Sequence, residues 1–434
     1  MTNRRALFSW ALFDWAQQPY FTLVGVVGFR PYYVSFVAAS PVIGQAQIGL
    51  VGALAGLIVA LLGPFLGSWL GRGNLKAWIF WTSVPFVLSM VGLWWTTPGD
   101  PYAVPLALIC LLVAATTAEV VITVNNAMLP AIAPPGKLGW HSGMGVALGA
   151  IGGLLGVLTV LLLFFLPAEP VLGLSRDTHE PERATGPFSA AWYVLFLLPL
   201  LFFYPAKARA KPQLQPVWRD AMQLLRDTWS NRPMFRFMLG RMLVSDALAA
   251  LQTFIGVVVA TTLGWGTAQL LVFALYSMVM LGVGSAVCGH LDSRMGPRRT
   301  VLGAAVMQAV GLFGLTAISA DSILFFIAVE PVNPGRFLAS PAEWLFLAFA
   351  TLVTFSGGPL ISAMRSWLVL VAPPGESARW FGVYAIAGRA TAFVAPLAVG
   401  GATLAFNDVR AAVPVMLVFL VAGIVAFWMV PDAD

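Results

Sequence analysis

Five ionisable residues sit inside long apolar runs of this chain: Asp14, Glu119, Asp246, Arg365 and Arg389. A charge at the centre of a membrane helix costs about 2.5–3.5 kcal/mol on insertion scales, so each needs a reason to be there. A guanidinium grips a carboxylate or phosphate through two parallel hydrogen bonds, which makes Arg365 and Arg389 candidate anchors for an anionic group. Asp14, Glu119 and Asp246 are candidate partners for a cation or carriers of a coupling proton. Asn125 and Asn126 add two amides on the segment that carries Glu119. The plainer alternative is a set of structural ion pairs between helices, and residue types leave both open. Arg30, Arg236 and Arg241 can snorkel toward an interface and are read as structural.

The elements that must position these residues follow from composition. Of 434 residues, 59% are hydrophobic and 10% charged, against roughly 25% charged in a soluble domain. That excludes a water-soluble enzyme, a disordered scaffold and a disulfide-built secreted domain. The expected fold class is an all-α polytopic membrane protein. Twelve apolar segments are read, at 7–38, 47–71, 77–97, 102–129, 139–166, 189–206, 233–262, 267–290, 298–319, 342–371, 379–405 and 411–431. Each is near or above the roughly 20 residues that cross a hydrocarbon core. The five charges fall on spans 1, 4, 7, 10 and 11. The apolar stretch 322–329 is too short to cross and reads as an extension of span 9 or an interfacial piece. Arg4 and Arg5 before the first run mimic a signal peptide, but Asp14 and the lack of a small-residue cleavage site make it a retained span. Pro19 and Pro64 are expected to kink spans 1 and 2.

Basic residues set the expected orientation. The N-terminus and the loops after even-numbered spans hold Arg4, Arg5, Arg72, Lys76, Lys137, Lys207, Arg209, Lys211, Arg219, Arg226, Arg232, Arg294, Arg298, Arg299 and Arg379, fifteen of twenty-four. The opposite loops hold Arg176, Arg183, Arg336 and Arg410. Both ends are therefore predicted to face the cytoplasm, in the plasma membrane. The net charge of +6 is accounted for by orientation, so no nucleic-acid partner is expected. Three histidines without ligand spacing argue against a metal, and no phosphate-cradling loop or other cofactor motif occurs. Cys110 and Cys288 lie in apolar stretches and read as buried thiols. No nucleophile–base constellation stands out, so the chain is not read as an enzyme.

The chain divides into 1–206, a linker at 207–232 and 233–434, each flanking part with six spans. In the linker Leu214, Val217, Trp218, Ala221, Met222, Leu225 and Trp229 recur at helical spacing opposite Arg219, Asp220, Gln223, Arg226 and Asp227. This predicts an amphipathic helix, lying on the inner leaflet or packed on the protein. The flanking parts read as copies. Asn125–Pro134 aligns with Met364–Pro373 at an offset of 239, which continues through Gly143 to Gly382 and Gly149 to Gly388. A 6+6 duplication marks secondary transporters. Gly143, Gly145, Gly149, Gly152, Gly153 and Gly156 on span 5 form small-residue rows suited to close helix packing.

Gly289-His-Leu-Asp292-Ser-Arg294-Met-Gly296-Pro-Arg298-Arg299 resembles the cytoplasmic loop motif of the major facilitator superfamily, shortened by one residue. Gly67-Ser-Trp-Leu-Gly71-Arg72-Gly73-Asn-Leu-Lys76 resembles its first copy, with Gly71 where the acid belongs. Three further stretches resemble the vacuole effluxer-like branch. They are Ser9–Ala16 with Pro19–Thr22 and Pro31-Tyr32; Asn126–Pro130 with Ser142–Gly145; and Arg365-Ser366 with Phe381–Ala385 and Gly388–Thr391. The resemblance implies twelve helices in two six-helix bundles, alternating access, and spans 1, 4, 7 and 10 around the cavity. It places Asp246 at an acid position of that branch, adds Tyr384 to the candidate binding residues, and makes Arg72, Lys76, Asp292, Arg294 and Arg298 candidate gate residues.

The resulting expectation is a monomeric secondary transporter of a small polar or zwitterionic, amino-acid-like solute, coupled to protons or sodium. Two rivals stay open: an exporter of an amphipathic lipid or drug-like compound, and a non-transporting receptor or assembly factor.

Overall fold

The computed structural model describes residues 4–431 except 73, 135, 168, 206–215, 266, 320, 331–337 and 390. Lys207, Arg209, Lys211, Leu214 and Arg336 lie outside the described residues.

The first span is not one α-helix. Pro19 has no amide hydrogen and ends α1 (Arg4–Pro19). The carbonyl this leaves free, that of Trp15, accepts from the indole of Trp192 at 3.2 Å. The chain continues as π turns over Tyr20–Val27, one α turn, α2 (Phe29–Tyr32), and π turns over Tyr33–Val37. α3 (Pro41–Arg72), α4 (Leu75–Gly92), α5 (Ala103–Met128), α6 (Leu138–Val160) and α7 (Glu180–Phe203) follow. The linker forms α8 (Val217–Ser230). Then come α9 (Arg232–Leu263), α10 (Thr267–Met295) and α11 (Pro297–Thr316). Helix ends follow local chemistry: Asn231 caps α9 by accepting from the Met234 amide, and Gly296, at φ 84°, turns the chain between α10 and Pro297.

The stretch 322–329 is a hairpin, not a continuation of α11. β1 (Ser322–Ile323) pairs antiparallel with β2 (Ile327–Ala328), and Leu324 and Phe325 turn with positive φ. Its tip leaves Phe326 82% exposed. α12 (Pro341–Val371) opens on a capping box between Ser340 and Glu343. Span 11 breaks into α13 (Ser377–Ala387) and α14 (Val394–Phe406), where a continuous 379–405 was expected. Gly388 weakens the helix there, and Pro396 offers no amide to the carbonyl of residue 392. α15 (Ala412–Trp428) closes the chain.

Among the described residues eight helices are long and apolar enough to cross a membrane: spans 2 to 6 and 8 to 10. Spans 1 and 11 are broken, α15 is shorter, and Arg236, Arg241 and Asp246 leave only 247–263 of α9 free of charge. Large apolar side chains such as Leu61, Leu88, Leu195, Val310 and Val418 are more than half exposed, as lipid-facing residues are.

The chain resolves into two compact units that do not follow chain order. The first is Met1–Pro135, Leu148–Leu224 and Pro374–Ala385; the second is Gly136–Ala147, Leu225–Pro373 and Ile386–Asp434. In the first, α1 lies along α7 and meets the later part of α6, where Gly149, Gly152 and Gly156 sit against Asp14, Trp15 and Pro19. A Cβ on Gly152 would lie 2.8 Å from the Trp15 carbonyl oxygen, so these helices touch because the glycines lack one. In the second, α12 packs on α10 and α11, and α15 on α9. Arg236 and Arg298 donate to the carbonyls of Met429 and Trp428 at 2.8 and 2.9 Å, closing the C-terminal end of α15.

Candidate functional site

In the first unit the predicted polar residues sit on α1 and α5. Trp10 donates its indole N–H to the Asn125 carbonyl at 2.7 Å, and Gln17 donates to the Ala118 carbonyl at 3.1 Å. These bonds fix the face of α5 that meets α1. Thr116, Glu119, Thr123 and Asn126 recur at i, i+3, i+7 and i+10, which places them on one stripe of α5. Thr123 donates back to the Glu119 carbonyl at 2.7 Å. Asn125 and Asn126 are buried, and the Asn125 amide N and O and the Asn126 amide O have no protein hydrogen-bond partner. A buried unsatisfied amide costs about 1–3 kcal/mol, which sets Asn125 and Asn126 apart from the satisfied polar groups around them. Asp14 and Glu119 are half-buried. Thr116 and Thr123 were missed by sequence reasoning, although their seven-residue spacing to each other and that of Glu119 to Asn126 was visible.

In the second unit Asp246 of α9 is 1% exposed, and its Oδ1 has no hydrogen-bond partner. Thr391, in the break in span 11, likewise has a buried Oγ1 without a hydrogen-bond partner. Arg365 of α12 is 7% exposed. Arg389, expected deep in a continuous helix, lies exposed in the break between α13 and α14. Tyr384 is buried in the first unit, edge-on to Phe381 at 5.6 Å.

Each unit holds a close helix contact of the same kind. Within the second unit the start of α6 packs on α10: a Cβ on Gly143 would lie 2.5 Å from the Ser285 carbonyl and 2.8 Å from the Gly289 Cα. Ser142 donates to the Ser362 carbonyl at 2.8 Å. Asp292 is buried against Gly139 in the first turn of α6, where the positive end of a helix dipole favours an anion, and accepts from Ser366 at 2.5 Å. Within the first unit α13 packs on α3, with Gly382 against the backbone of Gly63 and Gly67. The positions 143 and 382 are the pair related by the offset of 239.

The contact in the first unit lacks an acid on α3, since Gly71 faces the Cβ of Arg379 at 3.6 Å. Asp220 of α8 supplies one. It meets Arg379 at 2.7 Å, and Glu376 adds a contact at 3.5 Å. Asp220 thus falls on the covered side of α8 with Ala221, Leu224 and Thr228, although it was expected on the face opposite Ala221, and Trp218 and Trp229 of the apolar stripe are exposed. Among the other candidate gate residues, Asp292 and Arg298 are engaged as described, Arg294 is exposed and Lys76 half-buried. Arg72 ends α3, and its side chain lies outside the described residues. Cys110 and Cys288 are buried free thiols, as expected.

The model of the family described as "Vacuole effluxer Atg22 like" matches residues 141–433. The chain is 22% identical over 430 residues to the uncharacterized MFS-type transporter YxiO of Bacillus subtilis (strain 168), covering 98% of this chain and 94% of that one. It is 28% identical over 250 residues to Autophagy-related protein 22-2 of Penicillium rubens, which is 52% of this chain and 39% of the fungal protein. Among solved structures it matches FucP, a major facilitator superfamily transporter in the outward conformation, with a TM-score of 0.72 at 14% identity over 99% of both chains. It matches the proton:xylose symporter XylE with a TM-score of 0.72 at 15% identity, over 100% of this chain and 97% of XylE. At such identities the structural likeness speaks to the fold alone: this is the major facilitator fold.

Proposed function

The chain belongs to the vacuole effluxer Atg22-like family of major facilitator transporters, and from that premise we propose that it moves a small zwitterionic, amino-acid-like solute by alternating access coupled to protons. The observation that carries the coupling is Asp246, a buried acid in a membrane helix with an unpartnered oxygen. Such a group is expensive unless it gains and loses a proton or a cation during the cycle. Arg365 is assigned to the solute's carboxylate, because a guanidinium pairs with it bidentately. The first unit carries its own candidate set, Asp14 and Glu119 as charged groups and Asn125 and Asn126 as amides with unsatisfied atoms.

The gates of this cycle are the glycine contacts of α6 on α10 and of α13 on α3, which must part and reform. We take 1–206 and 233–434, joined by 207–232, as the duplicated halves, with both termini in the cytoplasm by the distribution of basic residues. The test is flux of a labelled amino-acid panel into proteoliposomes under an imposed pH gradient. The expected result is gradient-dependent flux that Asp246→Asn uncouples and Arg365→Ala abolishes. Flux indifferent to the gradient, or unchanged in both variants, would overturn the assignment.

A further inference from the structure

We propose that α8 is a lipid-reading latch: its outer face binds the headgroup layer of anionic phospholipids, and its inner face holds the start of α13 through Asp220 and Arg379. The outer face is built for a membrane surface. Trp218 and Trp229 are 57% and 72% exposed, Met222 is also exposed, and the guanidinium of Arg219 lies 5.2 Å from the ring centroid of Trp218. Arg226 stands two turns beyond Arg219 on the same helix, and it too is exposed. Aromatic rings beside arginines suit the boundary between headgroups and acyl chains, where an interfacial helix gains from apolar burial and from anionic lipid together.

Charge complementarity selects the occupant. Along its length α8 carries Arg219 and Arg226, both exposed, against Asp220 and the half-buried Asp227. One of those two acids, Asp220, is turned inward and neutralised by Arg379. What α8 shows outward is therefore cationic and aromatic. A zwitterionic surface would satisfy the tryptophans but leave the arginines without partners.

The inner face turns lipid binding into a mechanical signal. Arg379 donates to the Asp220 carboxylate at 2.7 Å and to its carbonyl at 3.2 Å. One turn on, Leu224 packs where a Cβ on Gly67 of α3 would be, and the same position abuts the Arg379 carbonyl. Thus α8, α3 and α13 meet at one junction, and α8 can leave it only by giving up a buried ion pair. Lipid that holds α8 down holds α13 against α3. The latch as a gate rests on the transporter reading; the lipid binding and its transmission do not.

The experiment uses the full chain in nanodiscs of phosphatidylcholine, with or without 30% phosphatidylglycerol, and reads amide hydrogen exchange without any solute. Anionic lipid is expected to slow exchange in 217–230, and in 377–385 with it. At about fivefold in binding per arginine, Arg219→Gln with Arg226→Gln should cut the effect about twenty-five-fold and return both segments to the neutral-lipid rate. Asp220→Asn should leave 217–230 protected by anionic lipid while 377–385 no longer responds. Equal exchange in the two lipids, or protection that survives the double arginine variant, would overturn the lipid face. A lipid response at 377–385 that survives Asp220→Asn would overturn the coupling. Because no flux is measured, failure here leaves the transport assignment standing, and the reverse holds as well.

Discussion

Gly143→Ala tests the proposed gate at its tightest point. The added methyl would lie 2.5 Å from the Ser285 carbonyl oxygen, 2.8 Å from the Gly289 Cα and 2.9 Å from its amide nitrogen. All three are backbone atoms of α10, so no side chain can swing aside, and relief comes only by parting α6 from α10. Overpacking of this kind costs about 1–3 kcal/mol. The cost falls on the closed contact alone, so the parted state should gain about 5- to 150-fold in population. The assay is maleimide labelling of a single cysteine at Ser362 in a Cys110→Ser, Cys288→Ser background. Ser362 is 1% exposed and its carbonyl accepts from Ser142 across this contact, so labelling reports its opening. Gly303→Ala is the matched control on the same unit, because a Cβ there meets nothing within 4 Å. Labelling that rises no more in Gly143→Ala than in Gly303→Ala would refute the argument that this contact closes by backbone proximity.

Other outcomes follow from the same physical accounting. Asp246→Asn should leave the thermal midpoint in detergent unchanged or higher while uncoupling flux from pH, since it removes a buried charge with an unpartnered oxygen; a large loss of stability would mark Asp246 as structural. Of the ion pairs Arg379 makes with Asp220 and Glu376, Asp220→Ala leaves only the longer one and should cost about 1–3 kcal/mol, read as a lowered midpoint, with Arg379→Gln recovering part of it in the double variant. Arg298→Ala removes a donor to the Trp428 carbonyl and should cost about 1 kcal/mol, with faster exchange confined to the last turn of α15. Trp10→Phe removes the bond to the Asn125 carbonyl, and a loss of about 1 kcal/mol with weakened solute binding is expected.

Much of this was legible in the sequence because charge is rare and glycine is informative. The eight long spans, the buried cysteines and the glycine row on span 5 follow from composition and spacing alone. The breaks in spans 1 and 11 were not legible, since π turns and a Gly388 break leave the apolar run intact. The linker helix shows the limit most clearly. Its period revealed two faces, but placed Asp220 on the polar one, opposite Ala221. The covered face instead contains Asp220, whose burial is offset by Arg379, 159 residues away. A pair so distant leaves no trace in a local pattern. The same holds for the bond from Arg298 to the Trp428 carbonyl, 130 residues away.

The wide turns of the first span carry one last implication. Over Tyr20–Val27 and Tyr33–Val37 the amides reach back five residues instead of four, as Gly28 does to Leu23 and Ala38 to Tyr33. Each wide turn is an extra residue stored inside a helix. Passing that surplus along the chain would rotate the intervening side chains by about 100° each, while every backbone group keeps a partner. Such a shift within Tyr20–Val27 would turn the faces that Phe21, Thr22 and Gly25 present, with the bend at Gly28 as its limit.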